Sequence, residues 1–271
     1  LHVAPLPDIV CRTEDSSMAE TGSRGRFVWY DLMTSDPRKA QDFYKTVVGW
    51  GTQVWDQAGM NYAMWTANGT PIGGVMDGPP NIPTHWIAYI TVPDTNASAE
   101  QIASLGGRII KPPADIPDVG RFAIAADPQG AVFAVFTPAD RSERPDTKPA
   151  IGEFSWHELM ADDYKKAWTF YQPVFGWERI EEHDMGPMGI YFIYGRNGVQ
   201  LGGMFSKSPE MQMPANWLHY VRVDSADRVA DVVKANGGTV MNGPMDVPGG
   251  DRIAQCMDPQ GGAFAIHSMK G

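Results

Sequence analysis

The sequence predicts an α+β protein of two tandem domains, each assembled from two βαβββ modules. Three observations carry that prediction. First, the stretch Phe27-Val28-Trp29-Tyr30-Asp31-Leu32-Met33 returns as Phe154-Ser155-Trp156-His157-Glu158-Leu159-Met160. The same spacing relates Asp36 to Asp163, Ala40 to Ala167, Phe43-Tyr44 to Phe170-Tyr171 and Gly49-Trp50 to Gly176-Trp177. Second, at a slightly longer spacing Trp86 matches Trp217, Tyr89 matches Tyr220, and Asp127-Pro128-Gln129-Gly130 matches Asp258-Pro259-Gln260-Gly261. Third, within each copy a strand, a capped helix and a set of short strands occur twice in succession. A chain of 271 residues with 43% hydrophobic residues has enough apolar surface for two ordinary cores.

The first repeat begins after Gly25. Phe27, Trp29, Asp31 and Met33 alternate with Val28, Tyr30 and Leu32, which predicts a strand with both faces occupied. Asp36-Pro37 opens a helix, with the aspartate as N-cap and the proline where a missing N–H costs nothing. Ala40, Phe43, Tyr44 and Val47 form its buried stripe, and Gly49 closes it. Strands are expected at Trp50–Gln57, Asn61–Ala67 and Ile72–Met76. The second module follows Pro79-Pro80: a strand over Trp86–Val92, a helix capped by Asp94 and ending at Gly106-Gly107, then strands near Arg108–Lys111, Arg121–Ala125 and Ala131–Thr137. Asp-Pro-Gln-Gly supplies the last turn.

These patterns place domain 1 at 25–138 and domain 2 at 152–268, joined by a linker at 139–151 without an apolar period. The extra residues of domain 2 are expected around Glu181-Glu182-His183-Asp184-Met185-Gly186-Pro187, read as a solvated acidic loop. Pro173 is expected to kink or shorten its helix. Residues 1–24 show no apolar period and are expected to be a disordered leader or tag, with Met18 as the natural start. The formal charge of −10 from 22 basic and 32 acidic residues disfavours nucleic acid and anionic membranes as partners. Two cysteines, Cys11 and Cys256, make no disulfide framework, which suits a cytoplasmic protein. No apolar run approaches a membrane span.

Modules carrying Asp…Phe-Tyr…Gly-Trp, then Leu-Gly-Gly and a closing Asp-Pro-x-Gly strand, resemble the vicinal oxygen chelate superfamily of glyoxalases, bleomycin-resistance proteins and extradiol dioxygenases. The Phe-x-Trp-x-(Asp/Glu)-Leu opening is similar to its tandem-domain, glyoxalase-like branch. The resemblance implies that paired modules curl into a half-open barrel around a cleft. It also implies a divalent metal held by His, Gln or Glu. The matching positions carry Trp29, Ile87 and Ala134 in domain 1, and Trp156, Leu218 and Ala265 in domain 2. The remaining position falls in the apolar, glycine-rich stretches 72–76 and 201–205. Neither tryptophan nor an aliphatic side chain offers such a cation a donor, so no metal or other cofactor is expected.

If those positions mark the cleft face, alternation adds Trp29, Asp31, Met33, Tyr89, Thr91 and Phe136 in domain 1. In domain 2 it adds Trp156, Glu158, Met160, Tyr220, Arg222 and His267. Asp31 and Glu158 either accept internal hydrogen bonds, contact a ligand or carry acid–base chemistry. Arg222 either neutralises Glu158 or binds an anion. His267 reads as a rim histidine rather than a general base, and no Ser-His-Asp triad is legible. His157 and His219 fall on the helix side, unless a strand bulge turns His157 inward and restores a metal site. Met60, Met185, Met188 and Met213 stand in loops suited to cover the clefts or simply to pack.

The reading is a metal-independent, glyoxalase-like protein that binds a small aromatic or amphipathic metabolite, as monomer or homodimer. Domain 2 is its working cleft, Glu158 its catalytic acid or base, and Tyr220 and Arg222 the orienting groups. The alternatives are a metal-dependent lyase or dioxygenase, and an inactive interaction protein.

Overall fold

A computed structural model describes residues 24–55, 62–142 and 146–270; the stretch expected to be a leader, up to residue 23, and Met60 lie outside them. Domain 1 runs β1 (Phe27–Thr34), α1 (Pro37–Val48), β2 (Gly51–Val54), β3 (Ala63–Ala67), β4 (Thr70–Asp77), then β5 (His85–Thr91), α2 (Thr95–Ser104), β6 (Arg108–Ile116), β7 (Gly120–Ala126) and β8 (Val132–Pro138). Domain 2 repeats it as β9 (Phe154–Ala161), α3 (Tyr164–Phe175), β10 (Glu178–Asp184), β11 (Ile190–Arg196), β12 (Val199–Ser206), then β13 (Asn216–Arg222), α4 (Ala226–Ala235), β14 (Thr239–Asp246), β15 (Arg252–Met257) and β16 (Ala263–Ser268).

Each domain is one eight-stranded sheet, ordered β2-β3-β4-β1-β5-β8-β7-β6 and β10-β11-β12-β9-β13-β16-β15-β14. The first strand of each module pairs parallel with its last, β1 with β4 and β5 with β8. The two modules meet where β1 and β5 pair antiparallel. The central strands of each cleft are therefore the first strands of its modules.

The helices form where their caps allow. Asp36 accepts the Lys39 N–H at 3.1 Å, Asp163 accepts those of Lys165 and Lys166, and Gly49 and Gly176 leave the helices at φ 76° and 68°. Pro173 does not shorten α3, which continues to Phe175. It lies in the last turn, where its fixed φ suits a helix and only one intrahelical bond is forfeited. Its carbonyl accepts Gln101 Nε2 from α2 of domain 1 at 3.2 Å and Nη2 of Arg24, the residue just before domain 1 and within the expected leader, at 2.6 Å.

Three further expectations change. The acidic run Glu181–Asp184 is strand rather than loop: it completes β10, and Arg179 pairs with Glu182 across one face at 2.7 Å. The extra residues of domain 2 fall in two places, since Gly73 and Gly202 hold equivalent register positions between the acidic run and β13. Phe27 does not share a face with Trp29. The β1–β5 register slips between them at Val28, as it does in β9 at Ser155. Such a bulge adds one unpaired residue and returns the chain to the opposite face. Phe27 and Phe154 thereby enter the core, while Trp29 and Trp156 stay in the clefts.

The helix-facing sides of both sheets share one core, so the clefts occupy the far sides. Tyr30 stacks on Phe154 at 3.8 Å and Phe27 on His157 at 3.7 Å. Four polar bonds cross the domains in reciprocal pairs. Tyr44 donates to Asp258 at 3.0 Å and Tyr171 to Asp127 at 2.9 Å; Trp50 Nε1 donates to the Gly152 carbonyl at 2.6 Å and Trp177 Nε1 to that of Gly25 at 2.8 Å. The two copies thus meet in a two-fold-like arrangement within one chain.

Candidate functional site

Alternation along β1, β5 and β8 lays Trp29, Met33, Ile87, Tyr89, Ala134 and Phe136 against one another on the cleft face of domain 1, with Val28, Phe122 and Ile124. At its floor stands Asp31, only 3% exposed. Its Oδ1 accepts Trp29 Nε1 at 3.0 Å and the Tyr62 hydroxyl at 2.9 Å; Oδ2 accepts the Tyr89 hydroxyl at 2.8 Å. Trp29 Nε1 also reaches the Tyr62 oxygen at 2.8 Å.

Domain 2 builds the same floor around Glu158, 8% exposed. Oε2 accepts the Tyr191 hydroxyl at 2.9 Å, while Oε1 accepts the Tyr220 hydroxyl at 2.9 Å and Gln255 Nε2 at 3.1 Å. Trp156 Nε1 donates to Tyr191 at 2.8 Å. Burial raises the pKa of both carboxyls above the ordinary range, and the phenolic, indole and amide donors pull them partly back. Burial beside a carboxylate likewise raises Tyr62, Tyr89, Tyr191 and Tyr220, so all four stay protonated as donors.

Three members of these clusters were not predicted: Tyr62, Tyr191 and Gln255. The two tyrosines left an indirect mark in the glycine pairs of β4 and β12. A Cβ on Gly74 would overlap the Tyr62 ring, and one on Gly203 the Tyr191 ring. The second glycine of each pair is the space through which the tyrosine reaches its carboxylate. Gln255 left no mark, because its equivalent Ile124 is apolar.

The remaining predicted residues divide. Met33 packs in the domain 1 cleft and Met160 is buried on the domain 2 side. Thr91 bonds the main chain of Arg26 and does not reach Asp31. Arg222 does not pair with Glu158; its guanidinium donates to the Pro149 carbonyl. His267 lies between Ser155 Oγ and Asp251 Oδ2, 2.9 Å from each. His157 stays in the core despite the bulge, 3.2 Å from His219 through the two Nδ1 atoms and 3.2 Å from the Tyr30 hydroxyl through Nε2. A surface groove of about 430 Å³ runs past the start of α2, away from both floors.

The donor set bears on a metal. Each floor offers a single carboxylate, and its neighbours aim hydrogens at it rather than lone pairs outward. Among the described residues no three His, Cys, Asp or Glu side chains come together to hold an ion. These residues do not fit a chelated divalent cation.

The profile of the Glyoxalase/Bleomycin resistance protein/Dioxygenase superfamily matches residues 26–135 and again 153–266. The chain belongs to this superfamily. Similar curated proteins include "Putative glyoxylase CFP32" of Mycobacterium tuberculosis, 31% identical over 244 residues that cover 88% of this chain and 92% of that one. Another is the anthracycline biosynthesis protein DnrV of Streptomyces peucetius, 27% identical and covering 91% and 94%. Among solved structures, the Mn(II)-bound glyoxalase of Novosphingobium aromaticivorans shares the fold at TM-score 0.63, with 17% identity and coverage of 92% and 83%. Within the superfamily fold, β1, β5, β9 and β13 are thus the strands that floor the clefts. Among the described residues no helix is long and apolar enough to cross a membrane.

Proposed function

We propose that this glyoxalase-superfamily protein binds a small aromatic or amphipathic molecule in the cleft of domain 2 without a chelated metal, and that any proton transfer at its floor runs through Glu158. The observation that carries the reading is the Glu158 cluster. A buried carboxyl whose pKa burial raises, held by side chains alone, is the kind of group that carries acid–base chemistry in a site. Its donors sit on three strands, and any of them can be exchanged for a ligand hydroxyl or amine. Trp156 is half-buried beside it and supplies an aromatic wall of the kind small-molecule sites use. The likeness to a protein of anthracycline biosynthesis supports an aromatic ligand. The core shared by the two domains supports a chain that can work as a monomer as well as in a homodimer.

The test combines metal analysis with a ligand titration. Purified protein is expected to carry substoichiometric Zn, Ni, Fe and Mn. Aromatic ligands are expected to quench tryptophan fluorescence, with an affinity that falls at least about tenfold in Glu158→Ala, the loss of one charge-assisted bond. Stoichiometric metal that disappears on mutating Glu158 or His157 would overturn the reading.

A further inference from the structure

The domain 2 cleft contains a second polar constellation that the domain 1 cleft lacks. Ser155, His267 and Asp251 form a hydrogen-bonded chain, with His267 Nδ1 2.9 Å from the serine hydroxyl and Nε2 2.9 Å from the carboxylate. His267 and Ser155 stand on the cleft side, and Asp251 reaches His267 from the turn between β14 and β15. His267 follows the core residue Ile266 on β16, and Ser155 is the bulged residue of β9 next to Trp156. The bulge is what re-aims Ser155, which in an unbroken strand would point to the core. His267 is shielded, at 8% exposure, whereas Ser155 remains partly open. Asp251 is fixed in turn by the Lys270 N–H at 2.8 Å. The equivalent positions in domain 1 are Val28, Phe136 and Gly120.

We propose that Ser155 is a nucleophile for acyl transfer from small aromatic esters, with His267 as its general base and Asp251 as the positioning residue. A serine hydroxyl is a weak nucleophile alone and becomes effective beside a base that a third group orients. Those roles are recognised by geometry, not by sequence order. A neutral imidazole carries one donor and one acceptor. With Nε2–H donating to Asp251, the lone pair of Nδ1 faces Ser155. The serine hydroxyl has a second acceptor within reach, the Tyr220 carbonyl at 3.3 Å, but the histidine is nearer.

In the first step Ser155 Oγ bonds to the ester carbonyl carbon and its proton passes to His267 Nδ1. The C–O bond to the alcohol then breaks, and His267 returns that proton to the departing oxygen. Water, the second reactant, bonds to the acyl carbon and gives a proton to His267 Nδ1; the Oγ–acyl bond breaks, His267 returns the proton to Ser155 Oγ, and the carboxylic acid leaves. The step does not use Glu158 and stands apart from the ligand reading above.

The experiment treats the full-length protein with a fluorophosphonate and, separately, with p-nitrophenyl acetate, and reads intact mass, peptide maps and nitrophenolate release. One adduct on Ser155 and a burst of nitrophenolate are expected. Ser155→Ala should abolish the adduct. His267→Gln should slow labelling about 100-fold or more, the usual worth of a general base. Asp251→Asn should slow it about tenfold, with Asp251→Glu restoring most of the rate, a rescue that a purely structural aspartate would not give. Wild-type protein that stays unlabelled, or is labelled elsewhere, overturns the proposal, and this measurement needs no variant to fold. Ser155 labelling at an unchanged rate in His267→Gln overturns it as well.

Discussion

The two clefts share a floor plan and differ in what they can do with it. Each sets one buried carboxylate under a tryptophan and two tyrosines. Each uses a glycine on the neighbouring strand to admit one tyrosine. Domain 2 then adds Gln255 to the floor and Ser155, His267 and Asp251 beyond it, where domain 1 has Ile124, Val28, Phe136 and Gly120. Domain 1 could not acquire the full set by simple substitution. A Cβ on Gly120 would strike the Thr137 carbonyl and the Phe136 ring. The difference separates what the fold requires from what one copy has added: the carboxylate floor belongs to both, the reactive groups to one.

The largest expected effect tests the shared part. Asp31→Ala and Glu158→Ala each remove the acceptor from three buried donors, and an unsatisfied buried donor costs about 1–3 kcal/mol. Each variant should lose about 3 kcal/mol or more of unfolding free energy in urea. Similar losses in the two domains would mark the carboxylates as structural equivalents. A loss confined to Asp31→Ala would mean that Glu158 is held for its chemistry, at no cost in stability when removed.

A second test uses the side of the sheets away from the clefts. Tyr30 and Ala88 face each other across β1 and β5, and the equivalent pair across β9 and β13 is His157 and His219. Burial lowers the pKa of both histidines, with a further contribution from His219 at His157, and takes His219 down to about 3. The unfolded chain therefore takes up protons first, near the ordinary histidine value. Stability is whole above about pH 7 and falls toward pH 3, by about 1.4 kcal/mol per pH unit for His219 within that window, with His157 acting in the same direction. The buried carboxyls act in the opposite sense, because their raised folded pKa favours the folded state in acid. His219→Phe should flatten the acid limb by about 2 kcal/mol at pH 5 relative to pH 7. An unchanged slope in a urea series across that range would remove the histidine pair as its cause.

Much of this was legible in the residues. The repeat follows from matched residues at a constant spacing, the caps at Asp36, Asp94 and Asp163 from aspartates at the helix starts, and the shared face of Trp29, Asp31, Tyr89, Trp156, Glu158 and Tyr220 from period-two alternation. The misses share a cause. A bulge moves side chains between faces without changing composition, so Phe27 was assigned to the wrong side and Ser155 to no site. Tyr62 stands just before β3, and Tyr191 and Gln255 lie on β11 and β15, strands whose register the hairpins set; alternation on the central strands says nothing of them. Arg222 was paired with Glu158 because the two share a sheet face by count. Its carbonyl partner Pro149 lies in the linker, which has no periodicity to read.

The smallest effect is the sharpest test of the asymmetry. Gln255 donates to both Glu158 and Tyr220, at 3.1 Å each, and it is one of the groups that pull the Glu158 pKa down. Replacing it with the residue domain 1 carries, Gln255→Ile, removes two hydrogen bonds but leaves Oε1 its bond from Tyr220. The cost in stability should be about 1 kcal/mol, while the pKa of Glu158 rises further, because burial then acts against fewer donors. The reverse change, Ile124→Gln, offers Asp31 a fourth donor; if the amide finds Asp31 and Tyr89 as Gln255 finds Glu158 and Tyr220, the pKa of Asp31 should fall. Carboxyl titration followed by infrared difference spectroscopy reads both shifts. Opposite shifts in the two variants would assign the difference between the floors to this one position; shifts of the same sign, or none, would place it in the surrounding strands.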